Sequence, residues 1–119
     1  MQANQTINEP QSARILDLED QKIEFTLEHG FKVMVSGSPV FYRDVELREP
    51  VVNDLIEAEK VASAESPIAF NSVLMGRQIV KIGKHQGPLT LHEIGTLKHR
   101  DYAIIQDKQR ELERLGEPK

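Results

Sequence analysis

The chain has 119 residues, of which 39% are hydrophobic, and it contains neither cysteine nor tryptophan. This length fits one domain with a modest core. The missing cysteine excludes disulfide scaffolds, thiolate metal sites and cysteine nucleophiles.

Charge and hydropathy indicate the compartment and argue against some partners. No segment approaches the ~18 apolar residues of a membrane-spanning helix, and the polar N-terminus lacks the pattern of a signal peptide. We therefore expect a soluble protein that is made and used in a cytoplasm. The net charge is −4, with −7 in residues 1–66 and +3 in residues 67–119. This asymmetry is too mild to predict a nucleic-acid-binding face.

The first third of the chain predicts a leader followed by strands. Residues 1–14 are polar and predict a disordered leader, and residues 15–119 predict a single α+β domain. Apolar residues alternate with polar ones over residues 22–48, which is typical of half-buried strands. Turn residues from Ser36 to Pro39 interrupt this region. The pattern predicts a small N-terminal antiparallel β-meander or hairpin.

Helical spacing dominates the rest of the chain, so the fold class is a small antiparallel sheet followed by three to four α-helices. Pro67 suits the first position of a helix and Gly83 suits its end. Thr90 and Glu93 have the spacing of a capping box. Gly76 is unfavourable inside a helix unless a close contact requires it. The predicted helices cover residues 51–62, 67–82, 91–97 and 99–115.

No combination of residues predicts a catalytic or metal site. His85, His92 and His99 are spaced by seven, but a loop and a glycine separate them, so surface histidines are the better interpretation. Asp54, Glu57 and Glu59 are neighbours on one helix, which favours a solvated face over a catalytic pair. Asp101 has no recognisable partner. We therefore predict a protein without enzymatic activity, cofactor or metal.

An apolar stripe on the last predicted helix could be a binding surface. Such a stripe belongs to a core more often than to an interface, but small helical domains also bury spare apolar faces against partners. The candidate partner-binding residues are Tyr102, Ile105, Leu112 and Leu115.

Several short sequence segments occur in the order in which they are found in a known protein family. They are Thr26-Leu27-Glu28-His29-Gly30-Phe31, Val45-Glu46-Leu47-Arg48-Glu49-Pro50, Asp54-Leu55-Ile56, Ala58-Glu59-Lys60, Gly95-x-Leu97 and Asp101-Tyr102. In this pattern the chain resembles the tail assembly chaperones of Mu-like and related contractile-tailed phages and prophages. The resemblance touches about three-quarters of the chain.

The resemblance implies a role in virion assembly without catalysis. Such chaperones bind the long helical tape measure protein, and help recruit subunits of the major tail tube protein, in the cytoplasm of the bacterial host. They are absent from the mature virion. In many relatives a ribosomal frameshift adds a second, longer form of the chaperone. A homo-oligomer remains open, and a membrane partner is not expected.

The alternative hypothesis is a small nucleic-acid-binding regulator that uses the basic second half of the chain. Lys81, Lys84, Lys98 and Arg100 would carry it. Duplex DNA binding that weakens steeply with salt is the property that separates this hypothesis from a tail chaperone.

Overall fold

The computed structural model of the chain describes residues 14–17, 21–63 and 65–116. The predicted α+β class is confirmed, because an antiparallel sheet opens the chain and helices follow. The strands are β1 (Arg14–Asp17), β2 (Lys22–Val35), β3 (Ser38–Arg48), β4 (Ile79–Ile82) and β5 (His85–Gln86). The helices are α1 (Val52–Val61), α2 (Pro67–Gln78), α3 (Leu91–Ile94) and α4 (His99–Gly116).

The five strands form one antiparallel sheet in the order β1-β2-β3-β4-β5. β2 alternates as its sequence predicts, since Ile23, Phe25 and Leu27 are buried while the residues between them are more exposed. α4 packs on β2, and α1 packs on α2. The core therefore lies between one face of the sheet and the helices, and α4 supplies Ile105 and Leu112 to it.

Several predicted boundaries differ from those in the structure, and the helix predicted over residues 91–97 ends at Ile94. The helix predicted over residues 67–82 ends at Gln78, and Ile79–Ile82 is a strand that pairs with β3. Gly83 accordingly lies at the turn between β4 and β5, with a φ of +59°, and does not end a helix. The predicted leader lies outside the described residues except for Arg14, which begins β1. Pro67 occupies the first turn of α2 as expected.

A bulge in β2 is held by the carboxylate of Asp101 at the start of α4. Its two oxygens accept hydrogen bonds from the backbone N–H groups of Glu28 (2.8 Å), His29 (3.2 Å) and Gly30 (2.8 Å). Gly30 has a φ of +107°, and a Cβ there would meet the carbonyl oxygen of Tyr42 at 2.8 Å. Asp101 therefore has partners that the sequence did not reveal, all of them backbone groups.

Gly76 shows the close contact that its place inside a helix required. A Cβ on this residue would lie 2.2 Å from the carbonyl oxygen of Leu89, whose N–H donates to the carbonyl of Gly76 at 2.9 Å. The segment before α3 thus packs directly on the backbone of α2. The predicted capping box is also present, because Glu93 N–H donates to Thr90 Oγ1 and Thr90 N–H donates to Glu93 Oε1.

Candidate partner-binding surface

The attachment of α1 to the domain depends on one buried carboxylate, that of Asp54. Arg48 donates from both terminal nitrogens to its two oxygens, at 2.9 and 3.0 Å, and Arg77 Nε donates to Oδ1 at 2.9 Å. The backbone N–H of Val51 donates to Oδ2 at 2.8 Å. Asp54 is only 1% exposed. The prediction of a solvated face is therefore wrong for Asp54.

The electrostatics of this cluster follow from its hydrogen bonds. The side-chain hydrogen bond from Arg48 contributes most to lowering the pKa of Asp54 from 3.8 to about 2. Burial acts in the opposite direction and raises it, while the Val51 N–H and the Arg77 guanidinium lower it further. Asp54 is thus held as a carboxylate at every physiological pH, and the ion pair connects α1 to β3 and to α2.

Three large apolar side chains of α1 lie on a different side of the helix from Asp54. Successive helical residues advance by about 100°, so Leu55, Val52 and Ile56 fall within an arc of about 100°. The middle of that arc lies about 130° from the direction of the two buried residues, Asp54 and Ala58. We call these three side chains the α1 stripe. The helix is therefore attached through a carboxylate and a small alanine, and it directs its large apolar side chains away from the domain.

The α1 stripe is open to solvent. Val52 is 70% exposed, Ile56 46% and Leu55 43%. Val51, which immediately precedes the helix, is also largely exposed. Large apolar side chains that cluster on a surface indicate a contact with another molecule, whereas isolated ones need no explanation.

A second exposed apolar region lies at the end of the β2–β3 hairpin. β1 pairs with β2 only at residues 22–24, and β4 pairs with β3 only at residues 45–47. Within the described chain, residues 31–42 are thus a two-stranded ribbon with neither outer edge covered. Both turn residues have positive φ, as a tight hairpin turn requires. The exposed apolar side chains here are Met34, Val35 and Phe41.

A groove of about 560 Å³ runs between the start of α2, α3 and the start of α4. Ile68 and Leu97 contribute apolar surface to it, and Tyr102 contributes a half-buried ring. The Tyr102 hydroxyl accepts hydrogen bonds from Asn71 Nδ2 and Ser72 Oγ, both at 3.2 Å. These bonds fix the ring in the wall of the groove.

The four candidate partner-binding residues differ in how exposed they are in the structure. Ile105 and Leu112 are fully buried in the core, with 0% exposure, and a role for them in partner binding stays a prediction. Their stripe faces the sheet because α4 is the helix that covers β2. Tyr102 lines the groove, and Leu115 is 40% exposed near the end of α4. Partner binding by Tyr102 and Leu115 stays a prediction.

The remaining candidate residues do not come together. Among the described residues no group of three or more His, Cys, Asp or Glu side chains could hold a metal ion. Nor is any helix in the described part of the chain long and apolar enough to cross a membrane. Arg100 Nε lies 3.2 Å from Glu28 Oε1, which places a carboxylate beside the basic run that the nucleic-acid hypothesis requires. Nucleic-acid binding stays a prediction.

The sequence indicated the helix that carries the α1 stripe but not its orientation. Val52, Leu55 and Ile56 have helical spacing, which ordinarily marks the buried face. Arg48, which lies at the end of a strand six residues before Asp54, is the residue that could have indicated that the Asp54 side of the helix is the buried one. Arg77, the second partner, lies 23 residues away from Asp54, and its position follows only from the fold.

Comparison with known proteins extends over most of the structure. The model of the family described as "Tail assembly protein gp41" matches residues 27–118, which include all four helices and most of the sheet. The Mu-like prophage FluMu protein gp41 of Haemophilus influenzae is 31% identical over 70 residues, which cover 49% of this chain. The chain spans 55% of the length of that curated relative. No solved structure matches the chain. With more than half of its length matched, the chain belongs to the tail assembly protein gp41 family of phages and Mu-like prophages.

Proposed function

We propose that this tail assembly protein is a chaperone that binds the tape measure protein while the tail is built. The observation that carries the proposal is the outward-facing α1 stripe. A protein that exposes large apolar side chains on one helix can cover the apolar stripe of another helix, as in helix-in-groove recognition. The work of such a chaperone is non-catalytic, and it takes place in the cytoplasm of the bacterial host.

The size of α1 suits a reversible contact. The α1 stripe runs from Val52 to Ile56, about 6 Å along the helix axis, so it meets about one to two turns of a partner helix. An interface of that length belongs to the small class that is typical of transient encounters. A chaperone that leaves before the virion is complete requires such weak and repeated contacts. Subunits of the major tail tube protein and a longer frameshifted form of the chain are further partners under this proposal.

The test is co-expression with the tape measure protein encoded in the same tail gene cluster. We expect the chain to keep that protein in the soluble fraction and to co-purify with it. Precipitation of the tape measure protein at all expression ratios, with no co-purification, would overturn the proposal.

Two leucines provide a matched pair of variants for the same experiment. Leu55 and Leu115 are 43% and 40% exposed and lie on different helices. Full burial of a leucine contributes about 1.5–3 kcal/mol, so burial of the exposed part of Leu55 is worth roughly 1 kcal/mol. Leu55→Ser should therefore weaken binding about three- to tenfold, and the effect of Leu115→Ser shows whether the end of α4 also contributes. Weaker binding by Leu115→Ser alone would move the binding surface to α4.

A further inference from the structure

The charges around the α1 stripe are predominantly negative. Glu59 falls inside the same arc as the stripe, one turn after Leu55 and Ile56. Glu49 is exposed three residues before the start of α1, and Glu65 is exposed between α1 and α2. The nearby cations are already engaged, since Lys60 lies 3.1 Å from Glu57, and Arg48 donates to Asp54. The α1 stripe thus presents an apolar surface that includes the carboxylate of Glu59, while Lys60 and Arg48 in the described part of the chain are paired with other carboxylates.

We propose that the α1 stripe selects an amphipathic helix that carries Lys or Arg beside its apolar residues. This inference rests on the proposed function, because it specifies the chemistry of the tape measure segment that binds there. Opposite charges across an interface favour the encounter and fix its register. Glu59 lies in the C-terminal half of α1, so a basic residue of the partner lies opposite that half.

The same charges argue against a second copy of this chain as the occupant. Two α1 stripes in contact would bring two sets of carboxylates to one small interface, and like charges across an interface oppose association. A basic helix neutralises these carboxylates while it covers the apolar side chains. The occupant that fits both features of the surface is therefore a basic amphipathic helix of a different chain.

Two synthetic helical peptides can test this inference with the full chain and no natural partner. Both have the same apolar stripe, and one carries lysines beside it where the other carries glutamates. Fluorescence anisotropy measures the Kd of each peptide at 0.05 M and 0.5 M salt. We expect the lysine peptide to bind at least about tenfold more tightly at low salt, with the difference largely lost at high salt because the charges are screened.

A charge reversal on α1, compared with the same charge reversal on α4, shows whether the preference for the lysine peptide arises at the α1 stripe. Glu59→Lys should weaken binding of the lysine peptide about five- to tenfold and strengthen binding of the glutamate peptide. Asp107 is exposed on α4, and Asp107→Lys makes the same change in net charge there. It should leave both Kd values unchanged. An equal effect of the two variants would mean non-specific attraction and would overturn the inference.

The remaining outcomes separate this inference from the proposed function. Equal affinity for the two peptides, together with successful co-purification of the tape measure protein, would overturn the charge selection and leave the chaperone role standing. Tight binding of the lysine peptide without any tape measure binding would overturn the chaperone role and leave the charge selection standing. A dimer in sedimentation that Leu55→Ser converts to a monomer would show that a second copy occupies the α1 stripe, and would also overturn the inference.

Discussion

Replacement of Asp54 by asparagine should destabilise the fold by about 2 kcal/mol at neutral pH. Asparagine keeps the shape of the side chain but cannot carry the charge that Arg48 and Arg77 contact at 2.9 Å. The difference between the ordinary pKa of 3.8 and the folded value of about 2 corresponds to about 2 kcal/mol. Both arginine side chains are about one-third exposed, so water screens them and the cost stays below the ~3–5 kcal/mol of a fully buried pair.

The pH dependence of this difference identifies its cause. The pKa of Asp54 is lower in the folded chain, so its stabilising contribution is complete above the unfolded pKa and is lost as pH falls through the folded pKa. The free-energy difference between wild type and Asp54→Asn should therefore be constant from pH 7 to about pH 5. It should fall to roughly 1 kcal/mol at pH 3 and approach zero near pH 1.

Urea unfolding of both proteins, followed by circular dichroism, measures this difference at each pH. In thermal unfolding at pH 7, we expect the melting temperature of the variant to be about 10 °C lower than that of the wild type, given the size of the chain. Other carboxyl groups titrate in both proteins and cancel in the comparison. A difference that stays the same between pH 7 and pH 2 would refute the reasoning, because the variant would then act through shape and not through charge.

Three further changes test the packing. Asp101→Asn should cost about 1–3 kcal/mol in urea unfolding, because the bulge N–H groups lose a charged acceptor, while Asp107→Asn on the exposed side of α4 should change stability by less than about 0.5 kcal/mol. Gly76→Ala should lower the melting temperature by at least several degrees, because its methyl group would meet the carbonyl of Leu89; an unchanged melting temperature would contradict that contact. Ile105→Glu should abolish the cooperative unfolding transition, because it buries an unpaired charge; a folded variant that loses only partner binding would restore α4 as the interface.

Local patterns predicted β2 and β3 but not the other three strands, and they extended α2 into β4 for a physical reason. Alternation along β2 and β3 is a property of neighbouring residues, so the sequence contains it directly. Ile79, Val80 and Ile82 continue the apolar spacing of α2, and they became part of a strand because β3 offers backbone partners there. Their β-branched side chains were the available signal. The pairing with β3 is non-local, and a window of helical spacing cannot detect it.

Which helix face stays exposed was predicted less well, because the burial of a side chain depends on the elements that the fold packs against it. The stripe of Ile105 and Leu112 and the stripe of Val52 and Ile56 look alike in sequence, and both have helical spacing. The first is covered by the sheet, and the second is left open on the surface. The two stripes differ because Arg48 and Arg77 bind the carboxylate of Asp54 and so hold the polar side of α1 against the domain. Of these two arginines, only Arg48 is close enough to Asp54 in sequence to suggest the contact.

The attachment of α1 through its polar side separates binding from folding. The side chains of the α1 stripe are not members of the core cluster that stabilises the sheet and α4. When a partner leaves, the core therefore loses no contact, and the domain needs no refolding before it binds again. The free-energy cost of release is then set by the surface contacts alone. Under the proposed function, one copy of the chain would serve many growing tails in succession, at a rate limited by dissociation and not by conformational recovery.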